Sequence, residues 1–301
     1  MDEYLENLKL TLTSPEERAP GTISSYMSTA HIFLTWLDDD RIPNVKDLRR
    51  YFLFRKENDI ATRTRAKEFV QLKTLFEANG WEWTFTRRDK PKPKEDPYQP
   101  AFPPDEVLQL IAAREDYTDQ ENFYLAVSTT FGTRRGEMGL ITKRDLKENT
   151  IFIHTEKGGV QRQQPIPEEI VDILSAWRPR ERKGGAINYA FQSIMEKSGL
   201  GRRPHWGFHC IRRTLQTLLI INLAKNSYSP SMAGDYLRWS KRSTGMVFLG
   251  SAMAGLYSHP EILSADSLEL DRICQSVHPF LSAYQSNGTT ELPDGQEEIP
   301  E

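Results

Sequence analysis

Two short segments of this sequence carry residue types suited to gripping a phosphodiester. In Phe131 to Leu140 (FGTRRGEMGL) an apolar run ends in a glycine turn, and Arg134, Arg135 and Glu137 follow at once. The planar guanidinium fork donates two parallel hydrogen bonds, which fits it to a phosphate. In Phe208 to Thr214 (FHCIRRT) His209 and Arg212 stand three apart, so on a helix they share one face. That face can present a proton-transfer group and a cation to a single phosphate. Each segment also has an ordinary reading: arginines are common on surfaces, and a histidine beside an arginine is often a satisfied structural residue.

Three further segments complete a pattern. His154-Thr155-Glu156-Lys157-Gly158-Gly159 reads as the turn of a hairpin and leads to Gln164-Pro165-Ile166-Pro167. Later come Tyr236-Leu237-Arg238-Trp239-Ser240 and Leu256-Tyr257-Ser258-His259-Pro260. In order and approximate spacing, these five segments resemble the tyrosine recombinase family, the phage-type integrases. The resemblance covers roughly residues 10 to 280. It puts the family's catalytic arginine on Arg134, with Arg135 as its variable neighbour and Glu137 as a structural acid. The hairpin lysine falls on Lys157, the His-x-x-Arg motif on His209 and Arg212, a position usually His or Trp on Trp239, and the nucleophile on Tyr257. Cys210 stands where the family has an acid, Thr133 where an apolar residue is common, and Trp239 and Tyr257 are farther apart than in most members.

The resemblance implies a DNA strand-transferase. Arg134 and Arg212 would neutralise the charge that builds on the non-bridging oxygens. A tyrosine hydroxyl ordinarily keeps its proton at neutral pH, so Tyr257 needs a base, and His209 is the candidate. Lys157 would protonate the departing 5′ oxygen, and Trp239 would donate its indole N–H to the phosphate. A 3′-phosphotyrosine conserves the bond energy, so no metal, ATP or other cofactor is expected. The implied partners are double-stranded DNA and further copies of the chain, four protomers on two sites, with no small-molecule substrate. A telomere resolvase or type IB topoisomerase would share this chemistry, and a catalytically inactive DNA-binding factor could share the scaffold.

The elements that must position these residues fall into two regions. Thr22 to Leu37 places Ile23, Tyr26, Met27, Ala30, Phe33, Leu34 and Leu37 at helical spacing, with Thr22 the expected N-cap after the breaker Pro20-Gly21. Val45 to Glu57 and Thr62 to Asn79 read as two more helices. Thr22, Tyr26, Trp36 and Leu37 are similar to the opening and close of the family's core-binding domain. Thr86 to Pro104 holds six prolines among lysines and arginines and reads as a stiff linker able to strap the DNA backbone. Beyond it, helices are predicted to Ala113 and from Glu121 to Phe131, and β-like runs over Thr150 to His154 and Arg162 to Ile166. Ser264 to Leu281, with Leu268, Leu270, Ile273, Val277 and Phe280, is expected to dock on a neighbouring protomer.

The expected fold is mostly α with a small β-sheet (α+β): a helical core-binding domain (1–88), a basic linker (89–104), a catalytic domain (105–285) and an acidic, disordered tail (286–301), closing as a C-shaped clamp on DNA.

Composition agrees with a soluble protein: of 301 residues 38% are hydrophobic and 27% charged, and no apolar run approaches the ~18 residues that span a bilayer. With an acidic start that carries no signal core and only Cys210 and Cys274, the expected location is the cytoplasm, associated with the nucleoid. The net charge of -3 hides local excess: from Lys46 to Lys94 basic residues outnumber acidic ones about two to one. The candidate DNA contacts are Arg63, Arg65, Lys67, Arg87, Arg88, Lys90, Lys92, Arg135 and Arg213.

Overall fold

The structure, a computed structural model, describes residues 2–14, 18–38, 41–92, 100–155, 159–178, 185–239 and 267–285. Lys157, Tyr257 and the tail 286–301 lie outside the described residues. The chain divides into two compact units, Met1–Tyr98 and Gln99–Glu301.

The described part of the first unit contains four helices: α1 (Asp2–Thr13), α2 (Pro20–Leu37), α3 (Val45–Glu57) and α4 (Thr62–Ala78). The 3.6-residue period gathers Ala30, Phe33 and Leu34 on α2, and Phe69, Leu72, Leu75 and Phe76 on α4, into buried stripes. Leu8, Leu12, Leu48, Tyr51 and Trp81 fill the space between them. Phe33 meets Tyr51 edge-on at 5.1 Å, and Phe76 meets Trp81 at 5.2 Å, the geometry aromatic quadrupoles favour. Thr22 is not the N-cap of α2. The helix starts at Pro20, because proline at the first helical position loses only an N–H that would lack a partner anyway. Asn44 caps α3 in a reciprocal box with Asp47, and Arg41 clamps Asp47 through two bonds of 2.7 and 2.8 Å. Two polar ties cross the interior. Gln71 accepts from Thr29 (2.7 Å) and donates to Ser25 (2.9 Å), and the buried Glu68 takes Arg55 through bonds of 2.5 and 3.2 Å.

The second unit wraps helices around α6 (Asp119–Phe131), whose side chains are buried almost all round. Thr118 and Glu121 form its capping box, so α6 starts two residues before the predicted Glu121. Before it lies α5 (Pro104–Ala112). After it come α7 (Arg135–Leu140), β1 (Leu146–Lys147), β2 (Thr150–Ile153), β3 (Arg162–Pro165), α8 (Val171–Ala176), α9 (Ala186–Lys197), α10 (Phe208–Lys225), α11 (Met232–Tyr236), α12 (Ser267–Ser276) and α13 (Ser282–Gln285). The strands make one antiparallel sheet in the order β1-β2-β3, with Ile151 opposite Gln164. Phe123 stacks flat on Trp177 at 3.8 Å. The fold class is thus the expected one, helices with a small sheet. Among the described residues no helix is long and apolar enough to cross a membrane.

In the single chain, Leu270, Cys274, Phe280 and Tyr284 of the C-terminal segment pack into the core of their own unit. The reason is polar as well as apolar. Asp271 of α12 is fully buried and bonded by Arg162 and Gln164 of β3, and Tyr284 shares a 2.8 Å hydrogen bond with Thr129. A helix with a buried carboxylate must sit where its cation is.

Removing one member of a buried ion pair strands the other charge. Arg55→Met should therefore lower stability by about 3 kcal/mol, and adding Glu68→Met should recover most of it. Urea unfolding of the two variants checks this; equal losses in both would show that packing, not charge, holds the pair.

Candidate functional site

α6 ends at Gly132 with φ 57°, the left-handed conformation that glycine adopts without strain. Space demands glycine too, since a Cβ there would lie 2.7 Å from Leu237 Cδ2 and 3.4 Å from Arg212 Cγ. This close turn delivers the next residues to α10 and to the chain leaving α11.

Arg134 is the N-cap of α7. Its backbone N–H donates to Glu137 Oε2 (2.8 Å) and its Nη1 to Glu137 Oε1 (2.5 Å). Arg238 Nη2 also donates to Glu137 Oε2 (3.3 Å). Arg212, on α10, turns its fork inward, with Nη1 on the carbonyl of Gly132 and Nη2 on that of Leu237 at 2.6 Å. Among the described residues, then, three guanidiniums gather at one bonded carboxylate. Glu137 is fully buried; burial pushes its carboxyl up, but Arg238, the Arg134 N–H and the Arg134 cation outweigh that, and the net shift is down. Burial, then Arg134 and Arg238, pull Arg212 down to about 9 against the opposing pull of Glu137, so it remains cationic at neutral pH. Burial also lowers Arg238. The cluster carries more positive than negative charge in a poorly solvated place, and Arg134 keeps 26% of its side chain exposed. Such an excess of positive charge could be balanced by an anion reaching Arg134.

The turn after α11 is a Schellman motif. Trp239 N–H donates to Gly234 O (2.9 Å), and Arg238 N–H to Asp235 O (3.0 Å). Its left-handed residue is Arg238 at φ 58°, a conformation that costs a non-glycine residue about 1–3 kcal/mol. The fully buried guanidinium offsets this with bonds to Gln164 Oε1 (2.6 Å) and Phe131 O (3.1 Å) besides Glu137. The mouth of the β2–β3 hairpin packs on the same turn. Val160 N–H donates to Arg238 O (3.4 Å), and a Cβ on Gly159 would stand 2.8 Å from that oxygen.

Of the candidate residues, Arg134, Arg212 and Trp239 come together around this turn, and the hairpin mouth brings the chain on either side of residues 156–158 to it. Trp239 is nearly buried and belongs to the core. His209 is exposed on α10, one turn before Arg212. Arg135 is exposed and donates to Asn188 Oδ1 (3.2 Å), whereas Arg213 donates to the backbone of Pro100 (2.8 Å). Arg238 and Gln164 lie within the sequence motifs but are given no role by them. The one available signal is a charged residue set between Leu237 and Trp239 in an otherwise apolar stretch.

A second basic site lies in the first unit. Arg63, Lys67 and Val70 follow one another along one face of α4 and, with Tyr26, Arg87, Arg88, Lys90 and Lys92, line a groove of about 1010 Å³ with no acidic residue in its lining. Arg65 is not part of it. Its guanidinium turns back to Ile60 O (2.9 Å) and Thr62 Oγ1 (3.0 Å).

No family model matches the sequence, and no curated protein does. Solved structures do match. A lambda integrase fragment, crystallised as a dimer bound to a COC′ core site, is 17% identical over 82% of this chain and 96% of its own, with a TM-score of 0.61. A lambda integrase tetramer bound to a Holliday junction is 16% identical over 85% of this chain and 76% of its own, with a TM-score of 0.57. A Tn1549 transposon integrase in complex with circular intermediate DNA is 14% identical over 85% of this chain and 99% of its own, with a TM-score of 0.53. The chain has the fold of these integrases.

Gly132→Ala adds both backbone strain and a clash with Leu237, and should cost about 2–4 kcal/mol in urea unfolding. A loss under about 1 kcal/mol would mean that the turn yields easily and does not fix the arginines.

Proposed function

We propose that this chain is a site-specific DNA recombinase that cuts and rejoins strands through a phosphotyrosine at Tyr257. The observation that carries this reading is the surplus of buried guanidinium charge around Glu137, with Arg134 partly open beside it. That surplus suits a phosphodiester, whose charge grows as it is attacked.

In the proposed reaction the Tyr257 hydroxyl attacks the phosphorus and gives its proton to His209. The bond to the 5′ oxygen breaks, and Lys157 protonates that oxygen. Arg134 takes the non-bridging oxygens, and Arg212 supports it by fixing the carbonyls of Gly132 and Leu237 while adding positive charge. Trp239 borders the site and offers an indole N–H. The phosphotyrosine keeps the energy of the broken bond, so a second 5′ hydroxyl can reverse the step without a metal or ATP. Duplex DNA would be held electrostatically by the groove on the first unit, with the basic segment 86–92 running along the phosphates. Four copies on two sites would make the exchange reciprocal.

Two measurements test this. On a nicked duplex taken from the borders of the genetic element that encodes the chain, wild type should form a covalent adduct on a denaturing gel. Tyr257→Phe should bind equally and form none. Binding by wild type without any adduct would favour a DNA-binding factor on an inactive scaffold; an adduct that survives in Tyr257→Phe would move the nucleophile elsewhere.

The joint substitution Arg63→Ala and Lys67→Ala should weaken duplex binding regardless of sequence. It should also reduce the slope of log affinity against log salt by about 1 for each phosphate no longer neutralised. An unchanged slope would remove the groove from the DNA path.

A further inference from the structure

Arg238 is the cation of the cluster to which the sequence motifs assign no role, and it is also the most constrained. It is fully buried, and it occupies a left-handed position that glycine would adopt without strain. The backbone therefore gives no reason for an arginine there; the side chain's partners do. Its guanidinium reaches the end of α6 (Phe131 O), Glu137 and β3 (Gln164), and its carbonyl receives Val160 at the hairpin mouth. Its neighbour Leu237 receives Arg212, and its other neighbour is Trp239.

The division of Glu137 is the informative part. Oε1 faces the side chain of Arg134, while Oε2 takes the Arg134 backbone N–H and Arg238. Without Arg238 a larger share of the carboxylate charge would act on Arg134, with Arg212 the other cation near it. With Arg238 the group of three remains cationic.

We infer that Arg238 is a positioning residue that shares Glu137 with Arg134 and so keeps the Arg134 guanidinium available to an incoming phosphate. This rests on the reading that the cluster takes a phosphodiester, but it can be tested without catalysis.

The experiment uses the full chain with inorganic phosphate as the probe, against chloride at equal ionic strength. Phosphate should raise the melting temperature of wild type by about 2 °C or more. Arg238→Gly, which removes cation and strain together, should bind phosphate about tenfold more weakly and lose that rise. Adding Glu137→Gln to Arg238→Gly should restore it, since the charge that closes on Arg134 is then gone, whereas a merely structural arginine predicts further loss. Arg238→Lys, which keeps the charge, should retain most of the response, and it carries the test against Arg238→Gln if the glycine variant does not fold.

The inference is overturned if wild type shows no phosphate response, if Arg238→Gly or Arg238→Gln responds like wild type, or if Arg238→Lys loses as much as the neutral variant. Adduct formation is read separately. A phosphate response that depends on Arg238, without any adduct, would sustain this inference while removing the recombinase reading.

Discussion

A carboxylate inside a protein must be paired, and the pairing of Glu137 organises the second unit. Its Oε1 holds the side chain of Arg134, and its Oε2 holds both the Arg134 backbone N–H and the guanidinium of Arg238. Arg238 in turn reaches the last turn of α6 and the middle of β3. Three elements far apart in sequence are thus fixed by one charge that cannot be left uncompensated in a poorly solvated interior. Arg212 extends the same logic without a carboxylate, by bonding the carbonyls of the two turns that meet there.

Those two turns share a left-handed residue and differ in why it is allowed. Gly132 has no room for a side chain, because Leu237 and Arg212 press against it. Arg238 has a side chain whose two terminal nitrogens are bonded, and these hydrogen bonds offset the backbone strain. Local rules are broken in the place where positive charge is concentrated, as is usual where structure serves a site. The arrangement is fixed before any partner arrives: Arg134 is held by Glu137 and keeps part of its side chain exposed.

The two basic sites differ in how an anion would meet them. The groove on the first unit presents solvated, long side chains, whose attraction is long-ranged, weakened by salt and indifferent to base sequence. The cluster in the second unit is largely buried, so its charges are little screened by solvent or salt. A chain of net charge -3 thus carries two local concentrations of positive charge.

Much of the local structure follows from the sequence. The periods of α2, α3 and α4, the asparagine cap of α3 and the glycine stop of α6 depend on neighbours a few residues away. The segments holding Arg134, Arg212 and Trp239 can be picked out for the same reason, since residue type and spacing within a short motif are local properties. What depends on distant partners cannot. Arg213 spends its guanidinium on the distant carbonyl of Pro100, and the C-terminal helix turns into the core of its unit where Asp271 meets Arg162. Arg238 is the sharpest case: in the sequence it is one arginine among many. Only the tertiary structure makes it a buried cation, because only folding brings Phe131, Glu137 and Gln164 to it at once.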